Sequence, residues 1–165
     1  MDIEIILGSK SDLPVLKDCV SVLKQLKIEY NVSILSAHRS PERLKEHVIK
    51  AKAKVFIAFA GLSAALPGFI ASYTLKPVIG VPLSGKVPYD SLLSMAQLPK
   101  GVPVAVVGVD NAKNAALLAA RILAISSKEL AENLERLQNE EIKDRELENE
   151  KELEKFKEQD KEGYI

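Results

Sequence analysis

Apolar positions along the chain fall into short runs separated by stretches of helical spacing. Ile3-Glu4-Ile5-Ile6-Leu7 runs into Gly8-Ser9-Lys10-Ser11-Asp12, after which Leu16, Val20, Leu23 and Leu26 mark one face of a helix over residues 13–26. An alternating run from Tyr30 to Leu35 leads into Ser36-Ala37-His38-Arg39-Ser40-Pro41, and residues 42–52 return to helical spacing. Residues 55–60, Val-Phe-Ile-Ala-Phe-Ala, are apolar without a break, as expected of a central parallel strand covered on both faces. Residues 77–81 and 102–107 supply a fourth and a fifth strand, and residues 91–97 and 114–125 two more helices.

Strands that alternate with helices in this way predict an α/β protein: a three-layer α/β/α domain with a parallel sheet of flavodoxin-like kind, here over residues 1–127, followed by a long C-terminal helix. The pattern changes at Lys128. Leu130, Leu134 and Leu137 keep a helical stripe, whereas beyond Ile142 apolar residues are sparse among opposite charges three or four apart. Residues 128–165 therefore read as a charged helical extension of the same domain. Its first part is expected to dock on the body or a neighbouring subunit, the latter favoured, and its last ~10–15 residues to be exposed or frayed.

Charge sharpens that division. The formal net charge is zero, but residues 128–165 hold 14 acidic and 8 basic side chains against 9 and 15 in the remainder, a tail of −6 on a body of +6. A cationic body suits an anionic small ligand. Its basic residues are scattered and only 5% of the chain is aromatic, which argues against nucleic acid. The single cysteine, Cys19, excludes a disulfide framework and a multi-cysteine metal site, and its place in a helical pattern predicts a buried thiol. No apolar run approaches the ~20 residues of a membrane span and no basic leader precedes the first strand, so the expectation is a soluble intracellular protein.

Candidate chemistry gathers in three loops that follow strands. Residues 36–41 bring hydroxyls, a guanidinium and an imidazole to a strand's carboxyl end, where open α/β sheets bind ligands. Ser40 and Pro41 also satisfy the preferences of a helix N-cap and first helical position, so a plain strand-to-helix turn fits as well. The loop at 8–12 lacks both the G-x-G-x-x-G pattern and the Gly-Lys-Ser/Thr ending of a P-loop. Its hydroxyls and backbone amides suit one phosphate group, while Asp12 is equally placed to cap the helix. The small residues at 61–68 serve either close approach of a ligand or subunit, or tight packing. His47 lies well past the second loop with no ligand partner at metal spacing and is read as a surface or packing residue.

Taken together, these stretches resemble one family, the PurE carboxyaminoimidazole ribonucleotide mutases and carboxylases of purine biosynthesis. The resemblance rests on residues 8–12, 36–41, 60–61 with 66–68, 77–82, Asp90-Ser91-Leu92-Leu93-Ser94, Gln97 to Val104 and Asn114 to Ala120, in order and in register from about Ile3 to Leu123. It implies a cytoplasmic homo-octamer with sites shared between subunits. The implied substrate is a small ribonucleotide, N5-carboxyaminoimidazole ribonucleotide, whose carboxylate moves from the exocyclic nitrogen to carbon 4 without metal or other cofactor.

By position, the resemblance gives Ser9, Ser36 and Arg39 the 5′-phosphate, Asp12 the ribose hydroxyls, and His38 the acid/base role. Ser11, Ala37 and the loop of Gly61, Leu62, Ser63 and Ala64 with Leu66 complete the substrate-binding set, the loop facing the base and enclosing carbon dioxide while it is free. Two departures matter. The mutase branch usually carries a histidine where this chain has Ala65, and Ser63 is similar to the branch that carboxylates aminoimidazole ribonucleotide directly. Arg39, where that branch commonly has lysine, and residues 98–104 are similar to the mutase branch, which is favoured. A non-catalytic nucleotide-binding module is the reading from another class.

Overall fold

The computed structural model describes residues 1–87 and 89–161. Five parallel strands, β1 (Ile3–Leu7), β2 (Tyr30–Ile34), β3 (Val55–Ala60), β4 (Val78–Pro82) and β5 (Ala105–Val106), form one sheet in the order β2-β1-β3-β4-β5. Helices α1 (Leu16–Gln25) and α5 (Ala112–Ala124) cover one face, and α2 (Pro41–Lys50), α3 (Leu66–Tyr73) and α4 (Asp90–Ala96) the other. This is the doubly wound arrangement that the alternating pattern predicts.

Strand periodicity divides the core in two. Ile3, Ile5 and Leu7 of β1 point into the α1/α5 layer with Cys19, Leu23 and the alanines of α5, whereas Ile6, Phe56 and Ala58 face Leu44, Val48 and Ile70. Every residue of β1, β3 and β4 is buried. Small residues on α5 let that helix lie close to the sheet: Ala115, Ala116, Ala119 and Ala120 are fully buried.

Glu4 interrupts the apolar run of β1 yet is only 1% exposed. Its carboxylate accepts hydrogen bonds from Asn31 Nδ2 (3.0 Å) and Ser33 Oγ (2.8 Å) and meets His47 Nε2 at 2.7 Å. A buried carboxylate without such partners would be costly, and these three groups meet that need. His47 is therefore a packing residue, as expected, with a definite partner.

Cys19 is also fully buried, and burial pushes its thiol up to about 12. Because the thiolate is the reactive form, a thiol reagent at pH 8 should leave the native protein unlabelled and label it once denaturant is added. Stoichiometric labelling of the native protein within minutes would show that Cys19 is accessible.

Three local departures from the expected elements have physical causes. Residues 10–15 form a 3-10 helix before α1, with Pro14 inside it and Ser9 as its N-cap. The strand expected over 102–107 shrinks to two residues, because Pro103 has no N–H to give to the ladder on this edge. The helix α6 (Lys128–Lys161) runs for 34 residues, and the stripe of Leu130, Leu134 and Leu137 packs on the core that α5 and α1 share. Of the two surfaces expected for this stripe, the chain's own body is the one it meets here. From Ile142 to Asp160 the helix is exposed, and residues 162–165 of the expected frayed end lie outside the described residues.

Candidate active site

The connection from β1 leads to β2 on one side, and that from β3 leads to β4 on the other. Their loops consequently part at the carboxyl ends of adjacent strands, the position at which doubly wound sheets open a crevice. Here it is a cleft of about 370 Å³ walled by Gly8, Ser9 and Asp12, by residues 36–39 and by residues 60–66. All three loops singled out in the sequence meet there. A larger hollow of about 870 Å³ between α5 and α6 holds no histidine and none of the three loops, and the smaller cleft carries the chemistry.

The first loop is organised by its own hydroxyls. Ser9 Oγ accepts a hydrogen bond from the Ser11 backbone N–H at 3.3 Å, and Ser11 Oγ lies 2.9 Å from Ser9 Oγ and 3.0 Å from Asp12 Oδ1. The capping residue is thus Ser9 rather than Asp12, whose carboxylate is left on the cleft wall. Ser11 does not line the cleft; it braces the two residues that do.

The second loop is a turn closed on Ser36. Ser36 Oγ accepts from the Arg39 backbone N–H (3.3 Å), and Ser40 donates to the Ser36 carbonyl through both its backbone N–H (3.0 Å) and its Oγ (3.2 Å). Ser40 occupies the N-cap position of α2 with Pro41 at the first helical position, yet its hydroxyl makes no cap bond. The cap reading holds for backbone position, while the side chain secures the turn. Ala37 is buried beneath, and His38 and Arg39 are exposed at the cleft. Arg39 Nη2 donates to the Gly8 carbonyl at 3.2 Å, which ties the second loop to the first and leaves other donors of the guanidinium for a ligand.

The third loop separates the two readings of its small residues. A Cβ added at Gly61 would meet nothing within 4 Å, so its smallness is not required for packing within the chain. Leu62 is 71% exposed, Ala64 and Leu66 are buried beneath the loop, and Ser63 has a left-handed backbone (φ 52°). The Ser63 N–H donates to Asp90 Oδ2 at 2.5 Å. Asp90 belongs to a motif quoted for the resemblance, but its contact with the third loop is not readable from sequence. Gly8, Ala60 and Ala65 also line the cleft, the first two at strand ends and Ala65 as the N-cap of α3.

The matching family model is that of AIR carboxylase, and it covers residues 2–144. The chain belongs to the AIR carboxylase family. Its relative in Pyrococcus horikoshii, named N5-carboxyaminoimidazole ribonucleotide mutase, is 53% identical over 137 residues, 80% of this chain and 77% of that protein; several others of that name lie at about 50%. A Candida albicans relative named phosphoribosylaminoimidazole carboxylase is 49% identical over 78% of this chain, which spans 24% of that longer protein. Among solved structures, Treponema denticola PurE superposes with a TM-score of 0.80 at 32% identity, covering 90% of this chain and 96% of that one. The three loops read above are among the stretches on which this chain's resemblance to PurE rests.

Proposed function

We infer that this chain is the mutase of de novo purine biosynthesis that converts N5-carboxyaminoimidazole ribonucleotide to 4-carboxy-5-aminoimidazole ribonucleotide. The observation that carries the reading is one cleft at the switch point of the sheet in which an imidazole, a guanidinium, paired hydroxyls and a carboxylate converge. The donors at one end suit a phosphate: the Arg39 fork with the hydroxyls of Ser9 and Ser36. Asp12 beside them suits ribose hydroxyls, and the open backbone at Gly61 suits a flat base.

The reaction needs one proton given to nitrogen and another taken from carbon. His38 as imidazolium gives a proton to the exocyclic nitrogen as the bond from that nitrogen to the carboxylate breaks and carbon dioxide is released. Carbon 4 then attacks the carbon dioxide, and the neutral imidazole removes the proton that carbon 4 bears. His47 is held by Glu4 elsewhere in the fold, so among the described residues only His38 brings an imidazole to the cleft. With Ala65 in place of the histidine usual in the mutase branch, both transfers fall to His38.

The proposal includes the cytoplasm as the place of action and a homo-octamer as the assembly. An apolar recess of about 590 Å³ opens off His38, Ser63 and Ala65 between α3 and α4, with Phe69, Tyr73 and Leu98 on its walls, and it supports a neighbouring subunit closing the site. Among the described residues no helix is long and apolar enough to cross a membrane.

Supplying either the N5-carboxylated nucleotide or aminoimidazole ribonucleotide with bicarbonate tests the reading directly. Consumption of the first, without added bicarbonate, is expected. Consumption of the second alone would make the chain a direct carboxylase, the reading that Ser63 favours, and binding without turnover of either would make it a non-catalytic module.

Phosphate recognition can be tested separately. Lysine lacks the guanidinium fork, and a charge-assisted hydrogen bond is worth about 1.5–3 kcal/mol. Arg39→Lys should therefore raise KM by roughly 10–100-fold while the rate at saturating substrate stays within about threefold. Failure of saturating nucleotide to restore most of the rate would move Arg39 from the phosphate to the chemical step.

A further inference from the structure

We propose that Asp90 is a positioning residue: by holding the Ser63 amide it keeps the loop at residues 61–65 closed over the base, and so decides whether released carbon dioxide is captured or escapes. The proposal rests on the mutase reading. Asp90 does not line the cleft and touches no reacting atom, so its influence passes through the loop.

The geometry begins with the backbone of Ser63. A residue with a Cβ at φ 52° is in the left-handed region, which L-residues other than glycine, asparagine and aspartate seldom occupy. Such a conformation persists only where its surroundings impose it. Two contacts do so here. The Ala65 N–H donates back to the Ser63 carbonyl at 2.5 Å, closing a tight turn just before α3, and the Ser63 N–H donates to Asp90 Oδ2 at 2.5 Å, a charge-assisted bond.

Asp90 is itself held in place. The next residue, Ser91, is buried, and its Oγ donates to the Leu83 carbonyl at 2.8 Å, fastening the first turn of α4 to the end of β4. The path from sheet to site is therefore Leu83, Ser91, Asp90, Ser63 and the cleft wall. The carboxylate at the start of α4 does not cap its own helix but bonds a residue 27 positions earlier. That use fits a role in shaping the cleft wall. If Ser63 relaxed to an ordinary backbone conformation, the chain direction would change between Gly61 and Ala65, and the wall facing the base would open.

The expected signature is in the products, since the ratio of two products does not depend on how much of a variant is folded. In the wild type nearly all the N5-carboxylated nucleotide consumed should appear as 4-carboxylated product. Asp90→Ala should raise the share ending as aminoimidazole ribonucleotide and bicarbonate by about fivefold after subtraction of the uncatalysed breakdown, the loss of roughly 1 kcal/mol of bias toward the closed loop. Ser63→Gly in the Asp90→Ala background should reverse much of that leak, because glycine takes positive φ without penalty.

Hydrogen exchange adds a readout independent of turnover: the Ser63 amide should be protected in the wild type and exchange faster in Asp90→Ala. Equal exchange in the two proteins would overturn the bond. Faster exchange with a partition within about twofold of wild type, or a leak that Ser63→Gly leaves unchanged, would overturn its consequence for the reaction. Failure of the wild type to consume the nucleotide would instead sink the mutase reading, and with it the partition claim, before any variant is made.

Discussion

His38→Asn is expected to lower turnover by about 10²–10⁴-fold, the usual contribution of a general acid–base group, while nucleotide affinity and melting temperature stay close to those of the wild type. The size follows from the reaction: one group must donate to a nitrogen and later accept from a carbon, and an asparagine amide hydrogen-bonds without moving a proton. No other imidazole reaches the cleft among the described residues to take over. Binding should survive because the phosphate and ribose ends are read by other side chains.

Folding should survive for a separate reason. The second loop is fixed by Ser36 and Ser40, not by the histidine, whose ring makes no hydrogen bond to the rest of the chain among the described residues. A steady-state assay with the N5-carboxylated nucleotide, a nucleotide titration and a thermal melt together check the prediction. Turnover within threefold of wild type would remove His38 from the proton path, and a lost melt transition would give it a structural part that its exposure does not support.

What the chain shows in one dimension is what depends on neighbours in sequence. The apolar runs of β1 and β3, the helical stripe of α1 and the strand-end position of His38 all follow from local period, and the resemblance set them in register. The residues of the cleft are legible for the same reason, because each loop directly follows a strand. Contacts between distant segments are not legible in that way. Glu4 sits inside an apolar run and its partners Asn31, Ser33 and His47 come from β2 and α2, so only the folded sheet reveals a satisfied buried carboxylate. Asp90 likewise meets Ser63 across two strand-end loops. The apolar hexapeptide at 102–107 reads as a longer strand than forms because its period outweighs Pro103, and the amphipathic stripe of α6 shows that a face is buried while leaving body and neighbouring subunit both open.

That last point sets the expectation for the tail. Removing everything after Ser127 should lower the melting temperature by about 10 °C or more, whereas ending the chain at Ile142 should change it by no more than about 2 °C. Leu137 is 5% exposed, and Leu130 and Leu134 are half-buried against the same core. At ~1.5–3 kcal/mol for each fully buried leucine, the three together amount to several kcal/mol, a large part of a domain's stability. The cut at Ile142 keeps all three and also the pair of Lys113 with Glu141 at 2.9 Å, which joins α5 to α6.

Beyond Ile142 the described helix shows exposed contacts of its own, such as Lys155 with Glu152 at 2.7 Å, and Leu147, Leu153 and Phe156 are each about half exposed. Exposed pairs of this kind contribute ~0–1 kcal/mol and weaken with salt. Because these apolar side chains already face solvent in good part, removing the stretch exposes little that was buried. Thermal melts of the two shortened chains beside the full one decide the matter. A melting temperature unchanged by the cut at Ser127 would mean that the leucine stripe adds nothing to the body. A large fall on the cut at Ile142 would mean instead that the charged half is held by a second surface, such as that of a neighbouring subunit.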